Sequence, residues 1–299
     1  MLKKIIGNLQ TIATTIIDHE IKSHVKKFIY KDFGIRLYDQ NESDTIAILM
    51  HGFSGNQDAS YINSMIDKLV NQNINVLTFD MAGVNESVKH EKFWGSATTD
   101  HILDPIFEWV DKQSRWKYVF PVAFSGASGA LLNYLCCGEK INNEHSKIIT
   151  YSFFISPTIK HKKMLKHVRT EISPIYTYAM SFSHTISLIK HRLYHKKILE
   201  IPHIIKNCTF DVLYANLYGS GKNKVILDHE EYKKIKGLAI FAEDDPILLP
   251  KDMNEYKNYC DVKTVKFGGH VAFYNLDGTR EHEKIIFKKI KQIIEQDKE

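Results

Sequence analysis

The chain has 299 residues, 43% hydrophobic and 25% charged, a globular balance long enough for one large core or for a core with a small subdomain. Its 40 basic and 35 acidic residues interleave to a formal charge of +5, and with no basic block beside a stacking-aromatic motif no nucleic-acid partner is expected. Four cysteines, adjacent at Cys136 and Cys137 and distant at Cys208 and Cys260, fit neither a metal spacing nor a disulfide framework; they are expected to be reduced thiols in a cytoplasmic protein.

Near the N-terminus, Ile5, Ile6, Leu9, Ile12, Ala13, Ile16 and Ile17 recur at helical spacing with lysines on the other side. This predicts an amphipathic helix over about residues 1–30. Polar residues interrupt each apolar run and no small-residue cleavage site follows, so the segment is read neither as a signal peptide nor as a bilayer span. Two roles stay open for it: lying on the body of the domain, or peripheral contact with a membrane through its basic face.

Beyond it, short apolar runs alternate with amphipathic segments. "TIAILMHG", "INVLTFD", "YVFPVAFSG", "KIITYSFFIS", "GLAIFAEDD" and "VKTVKFGGH" read as strands; "MIDKLVNQN", "HILDPIFEWVDKQ", "ALLNYLCC" and "REHEKIIFKKIKQIIEQ" read as helices. Strands that are apolar almost throughout, alternating with helices, predict an α/β fold with a mostly parallel central sheet covered on both faces. The rhythm breaks over about 157–230, which is read as a helical cap insertion within a single domain spanning 1–299. Histidines between His161 and His203 are scattered through lysine-rich sequence without a metal-binding pattern, and no Walker or Rossmann glycine loop is present. No metal or organic cofactor is expected.

Ligand-binding groups of an open parallel sheet gather beyond the carboxyl ends of its strands. There the sequence offers "HGFSGN", "SGASGA", "AEDDPILLP" and "GGHVAFYN": a glycine-rich turn, a serine on a sharp turn, an acid and a histidine, in chain order Ser, Asp, His. A serine becomes a nucleophile when a histidine takes its proton and an acid holds that histidine in the right tautomer. This order on this sheet resembles the α/β-hydrolase fold.

"FAEDDPILLP" and "FGGHVAFYN", with "GSATTDHILDPIFEWV" after "FDMAGVNES", further resemble the YheT-like (ABHD-like) branch of those hydrolases over roughly residues 45 to 275. The resemblance implies Asp245 as the acid, with Asp244 the second candidate, and His270 as the base. The chain departs from the branch in two places: Met81 stands where an arginine is usual, and neither serine fits G-x-S-x-G-G fully.

Two serines compete for the nucleophile's place. Ser128 is flanked at two residues' distance by Gly126 and Ala130, Ser125 by Ala123 and Ala127, and glycine tolerates the close approach better. With Ser128 as nucleophile Pro121 falls at the start of the strand; with Ser125 it falls in the middle of a central strand, where its missing N–H breaks the ladder. The resemblance argues the other way: "LLNYL" lies where the branch's similar segment would stand if Ser125 were the nucleophile. Backbone constraints decide the expectation in favour of Ser128, and the oxyanion hole then comprises the backbone N–H groups of Gly129 and Phe53. His51 is expected to be structural.

The function expected is hydrolysis of a carboxylic ester or thioester of an acyl or lipid substrate through an acyl-enzyme. An acyltransferase or acyl-protein thioesterase on the same triad is the alternative, with a catalytically silent hydrolase-like binding protein as the rival of another class.

Overall fold

The computed structural model describes residues 6–7, 9–11, 24–52, 55–90, 103–136, 144–157, 174–206, 234–248, 250–275 and 278–299. An eight-stranded sheet runs in the order β1-β2-β4-β3-β5-β6-β7-β8. Its strands are β1 (Lys26–Tyr30), β2 (Phe33–Tyr38), β3 (Thr45–Met50), β4 (Asn75–Phe79), β5 (Tyr118–Phe124), β6 (Ser152–Ile155), β7 (Gly237–Ala242) and β8 (Asp261–Val265). The β1/β2 and β2/β4 pairings are antiparallel and every pairing from β4 to β8 is parallel.

Helices α1 (Ser60–Val70) and α6 (Glu281–Gln296) cover one face. They bury Ile62, Met65, Ile66 and Leu69, and Ile285, Ile286 and Ile290, against β3, β5 and β7 side chains such as Leu49, Phe120 and Ile240. Helices α2 (Asp104–Gln113) and α3 (Gly126–Cys136) cover the other face with Ile106, Phe107, Leu131 and Leu132. A sheet buried on both faces needs strands without a polar alternate, hence runs such as "TIAILM", buried throughout. Each such aliphatic or aromatic side chain contributes about 1.5–3 kcal/mol on burial.

The helix expected over about 1–30 ends sooner, because Lys26–Tyr30 is strand β1. Lys31 and Asp32 both have positive φ, 45° and 67°. Such a two-residue turn matches the twist of antiparallel strands and pairs Tyr30 with Phe33. Of the N-terminal segment, residues 6, 7 and 9–11 are described and helical. Among the described residues, no helix is long and apolar enough to cross a membrane.

The described part of the insertion expected at 157–230 holds α4 (Pro174–Tyr194) and α5 (Ile201–Lys206), joined through a 3-10 turn at Ile198–Glu200. On α4, His191 Nε2–H and His195 Nε2–H donate to the carbonyls of His90 (3.1 Å) and Val88 (2.9 Å). Residues 158–173 and 207–233 lie outside the described residues. The chain order reverses around β3, whose neighbours are β4 and β5. The crevice beyond the carboxyl ends of β3 and β5 is therefore the topological switch point.

Candidate active site

Strand β5 ends at Phe124 and helix α3 begins at Gly126, leaving Ser125 alone in the turn with φ of 50°. A non-glycine residue in this left-handed region costs about 1–3 kcal/mol, so the surroundings must hold it there. The Ser125 N–H donates to the Ile155 carbonyl at 2.8 Å, and its own carbonyl accepts the Ser128 N–H at 3.0 Å. Its Oγ projects to 2.6 Å from His270 Nε2.

His270 stands on the turn after β8, and Asp245 on the turn after β7. Asp245 Oδ2 lies 2.9 Å from His270 Nδ1, while Oδ1 accepts the N–H groups of Ile247 (2.8 Å) and Leu248 (3.2 Å). An ionised carboxylate only accepts, so Nδ1 carries the imidazole proton and Nε2 presents a lone pair to the Ser125 hydroxyl. Asp244, the second candidate acid, is turned to other work: its Oδ1 accepts the N–H groups of Gly268 (2.8 Å) and Gly269 (2.9 Å). Burial raises the Asp244 carboxyl above its ordinary range, against the pull of those two donors.

The structure does not bring Ser128, the serine that the sequence favours, to His270. Ser128 lies inside α3, is 0% exposed, and spends its hydroxyl on the Ala123 carbonyl at 2.9 Å. Ala123 and Ala127, the residues two either side of Ser125, are fully buried without preventing the turn. Pro121 does sit mid-strand, in register with Ile48 of β3. Val119 and Ser125 direct their N–H groups towards β6 and its approach, to Thr150 Oγ1 and the Ile155 carbonyl. Pro121, two residues from Val119, faces the same way. The β5/β6 pairing starts only at Val122↔Phe153, so the missing N–H falls before that ladder begins.

The residue after Ser125 is Gly126, at the start of α3, whereas Gly129 lies a turn further into the helix; Phe53 lies outside the described residues. The turn after β3 closes on the serine, and a Cβ built on Gly52 meets Ser125 Cβ at 3.0 Å, so only glycine sits there without displacing a neighbour. The Gly52 N–H donates to the buried Tyr61 hydroxyl at 2.9 Å. His51, fully buried, ties this turn to the one after β4. It donates from Nδ1 to the Gly52 carbonyl (2.9 Å) and accepts the Met81 N–H at Nε2 (3.1 Å). Met81 itself joins the core.

No family model matches the chain, and no curated protein matches it. Solved structures do. An esterase of Pyrococcus furiosus superposes with a TM-score of 0.61 at 15% identity, covering 92% of this chain and 92% of that one. A soluble variant of the monoglyceride lipase of Saccharomyces cerevisiae, in complex with a substrate analogue, gives 0.56 at 15% identity over 93% and 98%. EstE5, soaked with p-nitrophenyl butyrate, gives 0.59 at 12% identity over 99% and 97%.

The chain has the α/β-hydrolase fold.

Within this hydrolase fold, three side chains that sequence reasoning passed over support the loops at the switch point. Thr11 Oγ1 accepts the His270 N–H at 2.8 Å. Ser156, with φ of 45°, meets the Val271 N–H through Oγ at 3.4 Å. Gln57 donates from its backbone N–H (3.0 Å) and Nε2 (3.1 Å) to Asp80. None belongs to a local motif; Ser156, directly after β6, was the one reachable by inspecting strand ends. Among the described residues no group of three or more His, Cys, Asp and Glu side chains is arranged to hold a metal ion.

Proposed function

We propose that the chain is a serine hydrolase of carboxylic esters or thioesters of acyl substrates, with Ser125 as nucleophile, His270 as base and Asp245 as acid. The observation that carries the reading is the continuous line from Ser125 Oγ to His270 Nε2 (2.6 Å) and from His270 Nδ1 to Asp245 (2.9 Å). The esterase and lipase names of the solved neighbours support it.

On this reading Ser125 Oγ attacks the acyl carbonyl carbon while its proton passes to His270 Nε2. Asp245 stabilises the imidazolium formed, since both its oxygens are already held by donors and need no rearrangement. The Gly126 N–H, at the amino end of α3, is the donor next to the carbonyl oxygen as it becomes an oxyanion. His270 then returns the proton to the departing alkoxide or thiolate, leaving an acyl group on Ser125. Water, deprotonated by the same Nε2, attacks that acyl-enzyme, and as the bond to Ser125 Oγ breaks Nε2 returns the proton to Oγ and the acid leaves.

Mass spectrometry after fluorophosphonate treatment tests the assignment, alongside turnover of p-nitrophenyl esters of graded chain length. A single adduct on Ser125, absent from Ser125→Ala and retained by Ser128→Ala, is the expected result. An adduct on Ser128 would sink the assignment; no adduct in folded protein would transfer the reading to a silent binding protein.

A further inference from the structure

The N-terminal helical residues reach across the chain to the base. Thr11, 3% exposed, donates its hydroxyl proton to the Gly7 carbonyl at 2.7 Å and accepts the His270 N–H at 2.8 Å. Three consecutive N–H groups in the base turn are thus held: Gly268 and Gly269 by Asp244, His270 by Thr11. The packing leaves no room for a methyl group. A Cβ on Gly7 would stand 1.9 Å from the Asp244 carbonyl oxygen, and one on Gly269 would stand 2.6 Å from the Gly7 oxygen and 2.9 Å from Thr11 Oγ1. Next to Thr11, Gln10 Nε2 donates to the Tyr274 carbonyl at 3.2 Å.

The turn so held is strained. Val271 and Phe273 have positive φ, 61° and 53°, and for a β-branched residue such as Val271 that conformation is a true outlier. A strained turn keeps its shape only while its surroundings over-determine it. The backbone at His270 sets where Nε2 stands relative to Ser125 Oγ.

We propose that Thr11 is a positioning residue for the reaction: its hydroxyl fixes the backbone of His270 and so keeps the imidazole within proton-transfer distance of Ser125. The proposal rests on the triad reading above. Without this acceptor the buried His270 N–H has to find a partner by rotating the peptide, and a misplacement of about 1 Å at a reacting group costs up to roughly 100-fold in rate. The described N-terminal residues then serve the active site directly through Thr11.

The test uses the full chain and the p-nitrophenyl ester that it turns over best. Thr11→Val keeps the shape and removes the acceptor; Thr11→Ala removes it without adding bulk, should valine not be accommodated. The expected result is a kcat lower by about 10- to 100-fold with KM within about twofold, slower fluorophosphonate labelling of Ser125, and recovery of both in Thr11→Ser. Gln10→Ala, which loosens the same segment without touching His270, is expected to lower the thermal midpoint and leave kcat within about twofold. Unchanged kcat in folded Thr11→Val or Thr11→Ala would overturn the role of Thr11, as would a loss that Thr11→Ser fails to recover or that Gln10→Ala equals. An unlabelled parent protein would instead overturn the triad on which the role depends.

Discussion

Two buried histidines stand near aspartates at strand ends of this molecule, and their ring nitrogens meet different kinds of partner. His270 has Asp245 on Nδ1 and the Ser125 hydroxyl on Nε2. His51 has the Gly52 carbonyl on Nδ1 and the Met81 N–H on Nε2, with Asp80 3.8 Å from Nε2. Asp80 is saturated by Gln57 and the Glu86 N–H. Backbone groups therefore take both nitrogens of one ring, whereas side chains take both nitrogens of the other. A histidine whose Nε2 is committed to a main-chain donor cannot receive a proton from a nucleophile, so residue type and burial alone do not mark a base. Burial lowers the pKa of His51, against the raising influence of Asp80, and keeps the ring neutral in its bracing role.

The comparison can be broken most sharply at His270. His270→Ala is expected to reduce kcat by on the order of 10⁴-fold or more, and Asp245→Asn by about 10³- to 10⁴-fold through loss of tautomer control, with folding intact by circular dichroism. If His51→Asn matched those losses in folded protein, the division between the two rings would be wrong. The expected outcome for His51→Asn is instead a stability loss of about 2–4 kcal/mol in urea unfolding, because the Met81 N–H and the Gly52 carbonyl lose a shaped partner, with activity per folded molecule within severalfold.

A pH titration of stability sharpens the same contrast. His51 and His184 are buried, and burial lowers the pKa of each ring, that of His184 to about 4. Below pH 6.5 the unfolded chain therefore binds protons that the folded chain refuses, and stability falls with falling pH. For His184 that loss is complete below about pH 4 and is on the order of 3 kcal/mol; unfolding of His184→Gln at pH 7 and pH 4.5 measures how much of the slope disappears. The smallest effect expected is that of Ser128→Ala. Its hydroxyl donates within one turn of chain to Ala123, so about 1 kcal/mol of stability is lost while turnover stays within about twofold.

Much of this architecture was legible in one dimension. Parallel strands buried on both faces require continuous apolar runs, and "TIAILM", "YVFPVAF" and "GLAIFA" are such runs. The residues at their carboxyl ends were identifiable because strand ends are where an open sheet exposes its loops. The hairpin of β1 and β2 escaped notice because its signal is the pair of positive φ angles at Lys31 and Asp32, in a turn without glycine. The serine that the sequence favours is not the one that the fold sets beside His270, for a similar reason. Small flanking residues and a proline are local clues, but they were weighed against a strand partner whose extent the sequence does not state.

By itself the sequence determined the alternation of buried strand and amphipathic helix, and the supply of serine, aspartate and histidine at the sheet's working edge, because periodicity and residue type are local properties of the chain. Tertiary structure alone decided that Ser125 takes the left-handed turn, that Pro121 is harmless beside a β6 that starts late, and that Thr11 braces His270 across 259 positions. These outcomes depend on which backbone donors and acceptors meet in space, and hydrogen bonds form between neighbours in the fold without regard to distance along the chain.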